Sequence, residues 1–193
     1  VYVAYETSGN IAVHDAVVMQ HIDAVKDLGL GDMSAEIKAL IDSKEPHKAE
    51  PRKLLDIKGA IRRSEARAAL LSIGINIDTN VFFLNLPFYE TGGVKKNQCS
   101  QADIDIIKEL LQKIKPDQIF MAGDLADPHG THRVCSEAAL NALYELRDEE
   151  WVQRNTVWLY RGACMEWEPG IVDMAVPLSP DELIHKRHAI FRH

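Results

Sequence analysis

The sequence predicts an α/β fold: a Rossmann-like three-layer α/β/α sandwich around a mostly parallel sheet. Three observations carry that prediction. Short β-branched and aromatic runs alternate with amphipathic stretches of helical length along all 193 residues. Each connection is long enough to hold a helix, which favours parallel strands joined by right-handed crossovers. The length suits one substantial core, and no internal repeat or low-complexity segment divides it, so residues 1–193 read as a single domain.

Val1 to Tyr5 is the first strand and Thr7-Ser8-Gly9-Asn10 the turn that ends it. Ile11 to Leu28 reads as helix, with Val17, Val18, His21, Ile22 and Val25 near helical spacing. A short helix over Ser34 to Ile41 follows, capped by Ser34. Residues 42–52, with Pro46 and Pro51, form a polar loop with little to hold it. Lys53 to Ile73 is a long helix closed by Gly74. Val81 to Pro87 is the second strand. The helix Gln101 to Ile114, capped by Ser100, keeps a regular apolar rhythm through Ile104, Ile107, Leu111 and Ile114. Gln118 to Gly123 is a strand, His132 to Trp151 a helix, and Thr156 to Tyr160 and Val172 to Val176 are two further strands. Ser179 caps the last helix.

An apolar fraction of 46% and a charged fraction of 26% are ordinary for a globular protein. The net charge of −7 argues against nucleic acid or an anionic membrane as partner, although Arg62, Arg63 and Arg67 make a local basic patch. No apolar run approaches the roughly 20 residues that a membrane span needs. Cys99, Cys135 and Cys164 are odd in number and far apart, as expected of reduced cysteines in a cytoplasmic protein. The turn after the first strand carries no GxGxxG, so a dinucleotide fingerprint is absent.

The segment Ala126-Asp127-Pro128-His129-Gly130-Thr131-His132-Arg133 concentrates the chemistry. Pro128 and Gly130 mark a loop that follows a strand and feeds a helix amino terminus, where open α/β sheets carry their sites. A neutral imidazole is what zinc binds, so His132 is a candidate metal ligand and His129 a candidate acid or electrostatic stabiliser. Asp127 could orient either ring by accepting an N–H. The plain alternative is that Asp124 and Asp127 form turns and caps and that the histidines are surface residues. Two histidines do not complete a zinc site, and His14 with Asp15 reads as solvated. Trp151, Trp158, Tyr160, Arg161 and Trp167 could stack on a sugar, pack the core or seal a contact in a homo-oligomer.

Several of these segments, in order, resemble the PIG-L/LmbE family of zinc-dependent N-deacetylases. Val3-Ala4-Tyr5-Glu6-Thr7-Ser8-Gly9 is similar to that family's second strand and Thr-x-Gly turn. Arg62-Arg63-Ser64-Glu65 with Ile73-Gly74-Ile75 resembles its Arg-x-x-Glu helix and the turn after it, and Phe83 to Pro87 the next strand. Asp127-Pro128-His129-Gly130-Thr131-His132 resembles its His-Pro-Asp-His segment, with Gly130-Thr131 in place of Pro-Asp. Lys186, Ala189 and His193 resemble a late Lys-x-x-Ala-x-x-x-His motif. The chain further resembles the carboxy-terminal domain of two-domain proteins described as glucosamine-6-phosphate deaminases.

The resemblance implies a Zn2+ cofactor held in part by His132, an oxyanion stabilised by His129, and an amino-sugar substrate reached by Arg62 or Arg63. It also implies a covalently attached sugar-phosphate isomerase-like domain. The family's His-Pro-Asp-Asp segment, which supplies two ligands and the base, is absent here. Val1 starts within a strand and residues 188–193 read as unfinished helix, so the sequence reads as a fragment that lacks the family's first strand. The implied activity is removal of acetyl from an N-acetylglucosamine-type sugar, possible in phosphorylated form. Two other readings stand beside it: a non-catalytic deacetylase-like partner domain, and a part of a glucosamine-6-phosphate deaminase itself.

Overall fold

A computed structural model describes all residues except Leu125, Ala163, Cys164 and His193. It is a mixed α/β chain whose strands pair in two small parallel sheets. In order the elements are β1 (Val3–Tyr5), α1 (Asp15–Asp27), α2 (Ser34–Asp42), α3 (Arg52–Ser72), β2 (Val81–Phe83), α4 (Gln101–Ile114), β3 (Gln118–Ala122), α5 (Thr131–Glu145), α6 (Glu150–Arg154), β4 (Thr156–Tyr160) and α7 (Pro180–Ile190). Short 3-10 turns cover Asn10–Ala12 and Pro169–Ile171. The chain divides into two compact units. One comprises Val1–Asn85, Glu90–Lys95 and Leu178–His193, and the other Leu86–Tyr89 and Lys96–Pro177.

In the first unit β1 pairs with β2 in parallel, Val3 opposite Val81 and Tyr5 opposite Phe83. Both strands are shorter than their apolar runs. Val1 and Tyr2 precede the ladder, and Asn85 turns the chain with φ 49, so Leu84 to Pro87 leave the strand. The helices close a core of Val13, Val18, Ile22, Ile37, Leu54 and Ile61. These positions come from the 3-4 spacing of three helices, and burying each is worth about 1.5–3 kcal/mol. Ser179 and Glu182 form a reciprocal capping box on α7, which contacts α3. Ser34 lies one place inside α2: its N–H donates to Asp32 Oδ1, so Asp32 does the capping expected of Ser34.

The polar loop before α3 is held more firmly than its composition suggests. Lys58 is 2% exposed, with Nζ 2.8 Å from Asp15 Oδ1 and 2.7 Å from Glu50 Oε2. Lys44 lies 2.7 Å from Asp15 and 2.8 Å from Glu50. Two cations and two carboxylates therefore tie residues 44–50 to α1 and α3. Asp15 is accordingly a member of a half-buried network rather than a solvated residue. Burial pushes its carboxyl up, but the Lys44 and Lys58 ammonium groups outweigh that and hold its pKa below the usual range.

In the second unit β3 and β4 pair in parallel from Gln118–Thr156 to Ala122–Tyr160. Helices α4 and α5 pack together through buried Ile107, Ala138, Ala139, Ala142 and Leu143. Ser100 and Asp103 form a capping box, and Asp103, fully buried, also accepts from Phe88 N at 2.9 Å. The helix expected over 132–151 is two helices. Glu149 leaves the first one because its carboxylate accepts from Gln112 at 2.9 Å and from Trp151 Nε1 at 2.6 Å. Val172 to Val176 is not a strand: its alternation would need a sheet edge to pair with, and Val172 and Val176 are exposed. Trp158 stacks with Phe120, and Arg161 lies 3.6 Å over the Trp167 ring.

Candidate metal and substrate sites

The histidine loop emerges from the carboxyl end of β3. Gly123 extends the ladder by one bond, its N–H donating to Tyr160 O at 2.7 Å. A side chain could not replace it: a Cβ there would lie 3.0 Å from Leu159 Cβ and 3.2 Å from Trp167 Cζ2. That close packing delivers Asp124, 4% exposed, into the interior of the unit.

Asp127 turns the chain into α5. Its Oδ1 accepts from His129 N and its Oδ2 from His132 N, both at 3.0 Å. The carboxylate thus holds the backbone of both histidines and satisfies donors of the first helical turn. This differs from the expected ring-orienting role: both oxygens are engaged by main-chain N–H groups. Burial pushes the Asp127 carboxyl up, yet the bonds from His132 and His129 prevail and its pKa lies below the ordinary carboxylate value.

His132 sits in the first turn of α5, as its sequence position implies. Its Nδ1 lies 3.7 Å from Asp124 Oδ2. Both His132 Nδ1 and Asp124 Oδ1 are buried without a hydrogen-bond partner among the described residues. Two orphaned polar atoms on adjacent side chains are costly unless something compensates them, a cation or a shared proton. His129 is exposed on the same turn, its ring open to a ligand. Asp124 is the residue that motif reading missed. The Gly-Asp at a strand's end was the available signal, but only tertiary packing buries that aspartate beside an imidazole.

Arg62 and Arg63 belong to the other unit, on α3. With Tyr5, Thr7, Ser8, Gly9, Ala66 and Phe83 they line a cavity of about 130 Å3. Gly9 has φ 63, and a Cβ on it would come within 3.3 Å of Arg62 Nε, so this turn can approach the guanidinium only as glycine. Arg62 also pairs with Glu65 at 2.5 Å, the helix-face pair the spacing allows. Arg67 lies over the Phe83 ring at 5.2 Å. Ser8 Oγ is buried beside this cavity without a hydrogen-bond partner among the described residues. Burial raises the Tyr5 pKa, and the Arg62 charge offsets that in part.

Among the described residues no group of three or more His, Cys, Asp or Glu converges on a metal position. His132 supplies a nitrogen donor of the right chemistry, one of the three protein ligands that a catalytic zinc takes, and Asp124 lies beside its ring. The ring fits a divalent cation as one part of a site. Cys164 and His193 lie outside the described residues.

Short parallel strands, the helices between them and a histidine loop on a strand's carboxyl end define a mixed α/β protein. Residues 13–143 match the PIG-L family, described as GlcNAc-PI de-N-acetylase, and the chain belongs to that family. It is also similar to a protein of Bacteroides thetaiotaomicron named as glucosamine-6-phosphate deaminase-like, with 48% identity over 206 aligned positions. The match covers 100% of this chain and 31% of that protein, so this chain spans about a third of its relative's length. No solved structure matches the chain.

Proposed function

We propose that residues 1–193 are a single deacetylase-type domain of Rossmann-like α/β/α construction, within a longer protein that removes acetyl from an N-acetylglucosamine-type amino sugar. The observation that carries this reading is the buried, unpartnered pair Asp124 and His132, on the loop of a chain whose residues 13–143 match a de-N-acetylase family. The family match runs through both compact units, which supports one domain.

The reaction adds water across the acetamide C–N bond and yields acetate and a free amine. His132 would hold Zn2+, with further ligands and the general base contributed by sequence outside residues 1–193. When bound, the metal supplies Lewis acidity toward the acetamide carbonyl and toward water. His129, with an accessible ring, donates a hydrogen bond to the developing oxyanion. Asp127 keeps both imidazoles in register through their backbone N–H groups. Arg62 and Arg63, with Thr7 and Ser8, form a cationic, hydroxyl-bearing cavity suited to a phosphate on the sugar. An attached sugar-phosphate isomerase-like domain would consume the amino sugar released, a role the relative's name and greater length support. A cytoplasmic location agrees with three cysteines, odd in number and far apart in the chain.

Acetate release by the full-length protein, measured with and without a chelator, tests this function. Activity that persists after metal removal rejects the zinc mechanism. A second reading, a non-catalytic partner domain, is favoured by Gly130-Thr131 beside His132 and by the incomplete donor set among the described residues. Metal-loaded full-length protein that releases ammonia but no acetate from amino-sugar phosphates would support it, or the related reading of a deaminase.

A further inference from the structure

We infer that Asp124 is the positioning residue for His132: its carboxylate accepts a hydrogen bond from the ring's Nδ1–H, fixes the tautomer and aims the Nε2 lone pair at the cation. This rests on the zinc reading above.

The electrostatics leave little choice of tautomer. A neutral imidazole has one donor nitrogen and one acceptor, and an ionised carboxylate only accepts. With Nδ1 buried facing Asp124, Nδ1 must carry the proton, and Nε2 becomes the acceptor. The side chain of His132 is 35% exposed although Nδ1 is buried, so the ring meets a ligand through its other nitrogen. Left unpaired, each buried group costs about 1–3 kcal/mol, and more where it is charged. One hydrogen bond from Nδ1 to the nearby Asp124 Oδ2 removes the penalty on the ring nitrogen.

The scaffold holds each partner where this bond can form. Asp124 lies between fixed main-chain atoms. Gly123 N donates to Tyr160 O, Gly123 O accepts from Arg161 Nε at 3.3 Å, and Asp124 O accepts from Asp127 N at 3.1 Å. His132 is anchored by its own N–H to Asp127 and by the first turn of α5. The 3.7 Å separation is longer than a hydrogen bond. Closing it takes a sub-ångström swing of the ring, and such contacts tighten when a site is loaded.

Zinc affinity of the full-length protein, measured by competition with a chromophoric chelator, tests the assignment. Asp124→Asn keeps the side chain's shape and removes its charge. It should weaken zinc binding by about 10–100-fold, the usual cost of losing such a partner. The metal-free unfolding midpoint should stay within a few degrees, and the visible band of the Co2+-substituted protein should move. Asp124→Ser is the second variant should Asp124→Asn fold poorly, with the same loss expected. Zinc affinity within twofold of the native protein in a folded variant, with the Co2+ band unmoved, overturns the inference. His132→Ala separates the two layers. If it leaves zinc affinity unchanged, the zinc reading itself fails. If it abolishes binding while Asp124→Asn does not, only the positioning role fails.

Discussion

Replacing Asp127 by Ala removes both acceptors that hold the histidine turn. The side chain receives His129 N and His132 N at 3.0 Å each, and the second of these satisfies the first turn of α5. Losing a side-chain acceptor for a first-turn N–H costs about 1 kcal/mol, and a hydrogen bond to an ionised group about 1.5–3 kcal/mol before water replaces it. Asp127 is half-buried, so water takes over part of both bonds. The expected loss is about 2 kcal/mol at pH 7, by urea unfolding. Asp127→Asn keeps one acceptor oxygen and should lose about half as much.

The pH dependence gives a sharper check. The folded pKa of Asp127 is depressed, so its contribution is fully present above the unfolded value of about 3.9 and disappears as pH falls through the lower folded value. The stability gap between the native chain and Asp127→Ala should therefore be flat from pH 7 to 5 and narrow below pH 4. Because the turn also sets where both imidazoles stand, acetate release by the full-length variant should fall at least about tenfold. A gap under about 0.5 kcal/mol at pH 7, or one that widens in acid, would refute this account of the turn.

Three other outcomes follow from packing and charge. Lys58→Met should destabilise the chain by about 3 kcal/mol in urea unfolding, since it removes the buried cation and leaves Lys44 alone to neutralise Asp15 and Glu50, whereas Lys44→Met, at a more exposed position, should cost about 1 kcal/mol. Gly123→Ala should lower both thermal stability and zinc affinity, because its new methyl meets Leu159 and Trp167 and displaces Asp124; unchanged affinity would detach Asp124 from the site. Ser100→Ala should cost about 1 kcal/mol and leave metal binding unaltered, so a large effect on zinc would contradict the capping role.

Much of the local structure was legible in the chain. Periodicity located α4 and β4 to within a residue, and Ser100 and Ser179 marked the starts of α4 and α7 by side-chain chemistry that acts over three residues, whereas α7, expected to run on through residues 188–193, ends at Ile190. The histidine loop was legible for the same reason: Pro128, Gly130 and Asp127 encode a turn into a helix without help from elsewhere. Whatever depended on a distant partner was not legible. Val172 to Val176 has strand alternation but no strand among the described residues to pair with, and Glu149 breaks a helix for the sake of Gln112 and Trp151.

The sequence by itself determined where most helices start, which turn carries two imidazoles, and that Arg62 and Arg63 share one helix, because each depends on neighbours within a few residues. Tertiary structure alone decided that Asp124 is buried against His132, that Lys58 is sunk between two carboxylates, and that Asp127 serves the backbone rather than a ring. Burial and partnership of a charged side chain depend on atoms brought close only by folding, and no local pattern of residues specifies them.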